Sequence, residues 1–289
     1  MIKNYFVSTG HLEDGLWFRE REDFVVGMNH VAVQVAEGNV VVLAFILMSN
    51  HVHFALKGEH EDVSDFISGL KQRYSMYYSR KYGATGFLRK NDLDIKEFQW
   101  CDEAPERTIA YVQMNCVAAN ICANPTQYPW GSGSCFFNES TTSGRKVSSL
   151  SARKIKHIIH SGVKGIPGHW IIGEEDYILP QNYVDVETVE HLFRKPSRMN
   201  YFLNTSSKAR KRLEISEKQL PSFKDQVILS ALPDLCMTLF QKRFFTELSE
   251  EEKTECARQI RYRFSASPNQ IARVCGVSYE EIAKILDGV

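Results

Sequence analysis

Residues 40–56, VVVLAFILMSNHVHFAL, decide the fold of the first half of the chain. Two apolar runs, 40–47 and 51–56, are separated by Met48, Ser49 and Asn50, and Ser and Asn are common in tight turns. The first run is short and rich in β-branched residues, which is typical of a strand. We therefore predict an antiparallel strand pair.

The returning strand begins with two histidines, His51 and His53, on either side of Val52. Alternate residues of a strand lie on the same face of a sheet, so both imidazoles should point out from one surface. Such a pair can provide two ligands of a metal ion. Histidines also occur at sheet surfaces as ordinary hydrogen-bonding residues, so the pair alone does not establish a metal site.

Length and composition indicate a globular protein. A chain of 289 residues favours two domains, and no apolar run is long enough to cross a membrane. The N-terminus lacks the basic-then-apolar layout of a signal peptide. The seven cysteines form no CxxC pair, which favours reduced thiols. We predict a cytoplasmic protein with no membrane segment.

Charge is distributed unequally along the chain. Residues 1–139 contain 12 Lys and Arg against 17 Asp and Glu, whereas residues 140–289 contain 23 against 18. The second half is therefore the better candidate for binding a polyanion.

The pattern of the first half predicts a short helix around residues 20–28, a strand at 31–36 (VAVQVA), and a long helix at 64–82. The long helix mixes aromatic and basic residues. It is interpreted either as an amphipathic core helix with a solvated face or as a surface on which bases stack. The candidate DNA-binding residues in it are Arg73, Tyr74, Arg80 and Lys81.

A second long helix is predicted at residues 104–122. Pro105 suits its first turn, and apolar residues recur at spacings of three and four. Tyr111 and Asn115 are four residues apart, so their side chains should be neighbours on the helix surface.

Residues 138–150 are polar and small, which predicts a linker between a domain at 1–137 and a mainly helical domain at 151–289. Within the second domain, residues 267–287 resemble a helix-turn-helix unit, with Gly276 in the turn and a capping box beginning at Ser278. Its last helix carries acidic residues, so a structural or protein-docking role stays open beside DNA reading.

The segment 194–212 is the most basic part of the chain, with seven Lys and Arg and no acid. Aromatic residues lie between its charges, which favours contact with nucleic acid over a merely solvated arm. Its candidate DNA-binding residues are Arg194, Lys195, Arg198, Tyr201, Lys208, Arg210, Lys211 and Arg212.

Four motifs, MSNHVHFAL at 48–56, the basic helix at 71–83, YVQMN at 111–115 and YPWGS at 128–132, follow one another in this order. Together they resemble the single-tyrosine HUH transposases, the insertion sequence 200-like group that includes the REP-associated tyrosine transposases. HUH denotes histidine, hydrophobic residue, histidine. The resemblance covers roughly residues 1–137.

The resemblance implies an α+β fold, with a ferredoxin-like antiparallel sheet and helices followed here by a mainly helical domain. It implies that His51, His53 and Asn115 bind a divalent metal, Mg²⁺ or Mn²⁺, and that Tyr111 is the nucleophile. The implied activity is cleavage and strand transfer of single-stranded or hairpin DNA through a 5′-phosphotyrosine. Some members are homodimers that exchange the tyrosine helix.

Two positions depart from the family pattern. Ser49 replaces the usual proline before Asn50, and Cys116 replaces the usual proline after Asn115. Neither substitution removes an implied ligand or the nucleophile. Two alternatives stay open: a domesticated nucleic-acid-binding regulator that no longer transposes, and a replication initiator with the same chemistry.

Overall fold

The computed structural model describes residues 1–10, 16–84, 86, 88, 91–138, 143–160, 165–206, 225–264, 266 and 268–287. Its first part contains strands β1 (Lys3–Thr9), β2 (Val41–Met48), β3 (His51–Gly58) and β4 (Leu93–Phe98). The helices around them are α1 (Arg21–Glu37), α2 (His60–Tyr82), α3 (Ala104–Gln113) and the short α4 (Asn115–Ala118).

The four strands form one antiparallel sheet in the order β2-β3-β1-β4. The predicted strand pair is confirmed, with Ile46 opposite His53 and Met48 opposite His51. On the other side of β3, Ser8 of β1 lies opposite His53. The histidine strand is therefore interior, and its position is fixed by hydrogen bonding to both neighbours.

Helices cover both faces of the sheet. Phe54 of β3 packs edge-on against Phe66 of α2, with 5.3 Å between ring centroids, so the face that carries Phe54 meets α2. The neighbouring residue His53 points to the opposite face, where Tyr111 of α3 lies. The alternation of side chains along β3 thus separates the apolar core under α2 from the histidine face under α3.

The strand predicted at residues 31–36 is wrong, because this segment belongs to α1. The sequence VAVQVA alternates as a half-buried strand would, and its β-branched residues favour that reading locally. In the structure residues 26–33 are all buried, so the middle of α1 shows no polar face from which a helical period could be read.

The sheet core does not end at the predicted linker. The predicted linker itself contains β5 (Arg145–Lys146), and after it come α5 (Ala152–Ile159), β6 (Ile171–Ile172), α6 (Val186–Phe193) and α7 (Pro196–Thr205). Trp170, Phe193 and Phe202 are buried in the same core as the strands. The side chain of Asn29 in α1 also donates to the carbonyl oxygens of Ile158 and Asp176 and accepts from the N–H of Ile178, which ties this segment to the sheet domain.

A second hydrophobic core lies in the last part of the chain. It is built by α8 (Asp225–Phe240), α9 (Glu250–Phe264), α10 (Pro268–Cys275) and α11 (Tyr279–Asp287). Apart from Leu16, its buried residues come from 228–285, so the two cores divide after Leu203 and not at 138–150. Within the predicted linker, residues 145–146 form a strand that pairs with β6, and Val147 is buried in the sheet core.

The helix pair predicted within 267–287 is present as α10 and α11. Gly276 between them has φ +70°, a left-handed conformation that glycine adopts without steric cost. The Ser278 hydroxyl accepts from the N–H of Glu281, which caps α11. The fold class α+β is confirmed. No helix among the described residues is long and apolar enough to span a membrane.

Candidate active site

The two histidines share one face of β3, as predicted. Their ring centroids are 4.7 Å apart and the ring planes are nearly perpendicular, at 81°. Each residue is only 6% exposed. Neutral imidazoles are the form in which histidines bind metals.

The turn before β3 orients the first ring. Nδ1 of His51 lies 2.7 Å from the side-chain oxygen of Asn50. Because an amide oxygen only accepts hydrogen bonds, Nδ1 carries the proton in this arrangement and Nε2 keeps its lone pair. Metal-binding histidines in proteins are commonly oriented by such a contact on the nitrogen that does not bind the metal.

The YPWGS motif holds the edge of β2 beside this turn. The Tyr128 hydroxyl donates to the Leu47 carbonyl oxygen at 2.7 Å, and the Leu47 N–H donates to the Trp130 carbonyl oxygen at 2.8 Å. Gly131 passes so close that a Cβ there would lie 2.8 Å from the Phe45 carbonyl oxygen, so no other residue fits without movement. The motif therefore stabilises the strand pair and supplies no reactive group.

Tyr111 reaches the histidine face from α3. Its ring centroid is 6.2 Å from that of His53, and both rings contact Phe6 of β1, at 5.4 Å from Tyr111 and 5.7 Å from His53. Burial raises the pKa of the Tyr111 hydroxyl, and the ammonium of Lys96 on β4 lowers it in part. The hydroxyl is therefore protonated at neutral pH and needs activation before it can attack.

Asn115 follows α3 after a break at Met114 and begins α4. Its side-chain nitrogen donates to the carbonyl oxygens of Tyr111 at 2.9 Å and Val112 at 3.0 Å. Both amide hydrogens are thus used on the tyrosine helix, which leaves the amide oxygen as the group that can bind a metal. The residue is 4% exposed, so this orientation is fixed by its surroundings.

Within the described residues no three His, Cys, Asp or Glu side chains are grouped so as to hold a metal ion. A site here would depend on two imidazoles and an amide oxygen, which is the set that the resemblance implies. Such a mixed nitrogen and oxygen set suits divalent ions between the hard and borderline classes.

The DNA-binding role predicted for Tyr74 is not compatible with its place in the structure. Tyr74 has no exposed surface, and its hydroxyl donates to the Trp17 carbonyl oxygen. A base could not stack on this ring without unfolding the core between α1 and α2. The aromatic stripe of α2 therefore follows the core interpretation.

The basic residues of α2 differ in their surroundings. Arg73 is paired with Glu37, and Lys81 lies between Glu20, Glu22 and Asp23. Arg80 is exposed. Paired cations contribute less to phosphate binding than the sequence alone indicates, because their carboxylate partners must first be displaced.

The residues of 194–212 divide in the same way. Arg194, Lys195 and Tyr201 are exposed, whereas Arg198 forms an ion pair with the buried carboxylate of Glu106 at 2.8 Å. That contact joins α7 to the tyrosine helix, so Arg198 has a structural partner that the sequence did not reveal. Four further predicted residues lie outside the described part of the chain: Lys208, Arg210, Lys211 and Arg212.

Sequence reasoning missed Asn50, Lys96 and Phe202 as neighbours of the site. Asn50 had a local signal, since it directly precedes His51. Lys96 and Phe202 lie on β4 and α7, far from Tyr111 in sequence, and only strand pairing and helix packing bring them close. Comparison of the chain with models of protein families, with curated proteins and with solved structures gave no match.

Proposed function

We propose that this protein is a metal-dependent nuclease and strand transferase of single-stranded or hairpin DNA, with Tyr111 as nucleophile. The observation that carries this proposal is the meeting of β3 and α3. It brings His51, His53 and Tyr111 to one face of the sheet, with 4.7 Å between the histidine rings and 6.2 Å from His53 to Tyr111.

The order of elements supports the same proposal. The sequence β1-α1-β2-β3-α2-β4 with strand order β2-β3-β1-β4 is the arrangement expected of a ferredoxin-like sheet. We extend the proposal to this fold family and to the two-part organisation, with the helical C-terminal part serving DNA targeting or protein docking. DNA reading by α11 and a cytoplasmic location stay predictions.

His51, His53 and the amide oxygen of Asn115 would hold the metal ion. A bound Mg²⁺ or Mn²⁺ would polarise and orient the scissile phosphate. Asn50 fixes the ring of His51, and the helix carbonyls fix the amide of Asn115. This preorganisation lowers the cost of assembling the site when DNA binds.

Tyr111 would attack the phosphorus atom with its hydroxyl oxygen. A bond forms between that oxygen and phosphorus, the bond from phosphorus to the 3′ oxygen breaks, and the departing strand takes up a proton as a free 3′-OH. The tyrosine proton passes to solvent. Because the phosphodiester bond energy is kept in the phosphotyrosine, a second 3′-OH can attack it and reseal a new junction without ATP.

Tyr111 lies beside the histidines of its own chain, so the proposed reaction does not require a second copy. A homodimer stays a candidate assembly. The alternative function is a DNA-binding regulator that keeps the fold without the chemistry. The intact set of His51, His53, Tyr111 and Asn115 favours the enzyme.

The test is to incubate the full-length protein with labelled single-stranded hairpins taken from the flanks of its own gene, with Mn²⁺ or with a chelator. The proposal predicts a protein–DNA adduct that survives denaturation and forms only with Mn²⁺. Tight binding without an adduct on any hairpin would favour the regulator.

A further inference from the structure

A pocket of about 410 Å³ is lined by Tyr111, and neither His51 nor His53 lines it. Its walls include the half-buried rings of Phe6 of β1, Phe98 of β4 and Tyr111, with the buried Phe202 of α7 beside them. The volume is within the range of about 300–1,000 Å³ that is usual for ligand sites. Any group bound in it would therefore lie next to the nucleophile.

The pocket has cations at its margin. Lys96 and Arg107 both line it, and their side chains are 69% and 63% exposed. Each is paired with a carboxylate in the structure, Lys96 with Asp94 and Arg107 with Glu103. Exposed ion pairs of this kind are weak, so a phosphate can replace the carboxylate. Glu97, also on the margin, is neutralised by Lys3 at 2.7 Å.

Helix α7 forms one wall of the pocket. It lies outside residues 1–137, the region that resembles the transposases. It packs on α3 and is fixed there by the Arg198 and Glu106 ion pair. The guanidinium groups of Arg198 and Arg107 lie 5.1 and 5.8 Å from the centroid of the Phe202 ring. Two contacts join this wall to the tyrosine helix: the ion pair of Arg198 with Glu106 and the cation–π contact of Arg107 with Phe202.

Aromatic walls with cations at the rim match the chemistry of a nucleotide. The faces of a base stack on aromatic rings, and the phosphate is attracted to Lys and Arg. We propose that this pocket binds one nucleotide of the DNA single strand, directly next to the scissile phosphate. The proposal rests on the proposed function, because it places the nucleotide relative to the bond that Tyr111 attacks.

The test fills the pocket without touching the reacting groups. Thr205 lines the pocket at the end of α7, whereas its neighbour Asn204 is exposed and does not line it. Thr205→Trp should block entry of the base, and Asn204→Trp is the matched control with the same added bulk. The loss of one stacked base predicts about a tenfold or greater decrease in adduct formation at subsaturating DNA for Thr205→Trp alone.

A second measurement does not depend on cleavage. Single-stranded oligonucleotides carrying 5-iododeoxyuridine are bound to the full-length protein in chelator, irradiated, and the crosslinked peptides are mapped. The proposal predicts crosslinks to peptides containing Phe6, Phe98 or Tyr111, retained in Asn204→Trp and lost in Thr205→Trp.

The outcomes separate the two proposals. Equal adduct yields and equal crosslinks in the two variants would overturn the pocket while leaving the nuclease intact. Crosslinks that depend on the open pocket, without any adduct in the wild-type protein, would support the pocket and contradict the nuclease. Neither adduct nor crosslink in the wild-type protein would overturn both.

Discussion

Helix α2 and the surroundings of Tyr111 contain the same kinds of residue, aromatic rings interleaved with Lys and Arg, and use them differently. In α2 the rings face the core, Tyr74 completely, and Arg73 and Lys81 are held by acids. Around Tyr111 the half-buried rings of Phe6 and Phe98 line a cavity, with the buried ring of Phe202 beside them. Composition identifies a stacking surface only after the fold shows which rings are accessible.

The largest effect should come from the histidine pair. His51→Ala or His53→Ala removes an imidazole that would bind the metal, so we expect a decrease of about 100-fold or more in Mn²⁺-dependent adduct formation. His60→Ala is the control, because His60 is an exposed histidine packed against Tyr5 on the α2 face. Equal losses in all three variants would indicate a general effect of histidine removal and would contradict the metal site.

Tyr74→Leu tests the other side of the comparison. It removes a buried aromatic ring and its hydrogen bond, so the free energy of unfolding should fall by about 2–4 kcal/mol, measured by urea denaturation. Affinity for single-stranded DNA, measured at a temperature where the variant is folded, should be unchanged. A large loss of affinity with little loss of stability would restore the base-stacking interpretation of α2.

His30 of α1 predicts how stability depends on pH. Burial, with the nearby charge of Arg73, lowers its pKa from 6.5 to about 3 in the folded protein. Between those values the unfolded chain binds a proton that the folded chain does not, so stability falls as pH decreases from 6.5 towards 3, by up to about 1.4 kcal/mol per pH unit. In His30→Leu this part of the decline should be absent; an unchanged slope would show that other groups cause it.

The smallest expected effects are on the salt dependence of DNA binding. If Lys96 and Arg107 contact phosphate, replacing either with Gln should make the dependence of log affinity on log salt shallower by about 0.7 for single-stranded DNA. Arg73→Gln should leave it unchanged, because Arg73 does not line the pocket and its side chain is only 23% exposed in its pair with Glu37. Binding isotherms at several salt concentrations measure the difference. A change in slope for Arg73→Gln alone would reverse the assignment of the two regions.

The sequence predicted the features that depend only on local residue patterns. The strand pair around residues 49–50 and the common face of His51 and His53 follow from turn residues and a period of two, and the structure has both. These two features need no information from distant parts of the chain, whereas Asn115 lies beyond the helix break at Met114 and its side chain contacts the backbone carbonyl of Tyr111.

The sequence-based predictions fail where contacts between distant parts of the chain determine the structure. The fully buried middle of α1 resembles a strand locally, and β4 becomes a strand by pairing with β1. The polar composition of 138–150 gave no sign that Trp170 and Phe202 belong to the sheet core. Likewise, the sequence does not show that Arg198 forms an ion pair with Glu106, because only the packing of α7 on α3 brings the two side chains together.

The most direct test of the central claim is to map the amino acid that becomes joined to DNA. Purified wild-type protein and Tyr111→Phe are incubated with hairpin DNA and Mn²⁺, digested with protease and nuclease, and analysed by mass spectrometry, with Tyr201→Phe as an exposed-tyrosine control. We predict a nucleotide joined through its 5′ phosphate to Tyr111 in the wild-type and control proteins, and no adduct in Tyr111→Phe. An adduct that persists in Tyr111→Phe, or that maps to another tyrosine in the wild-type protein, would contradict the assignment of the nucleophile.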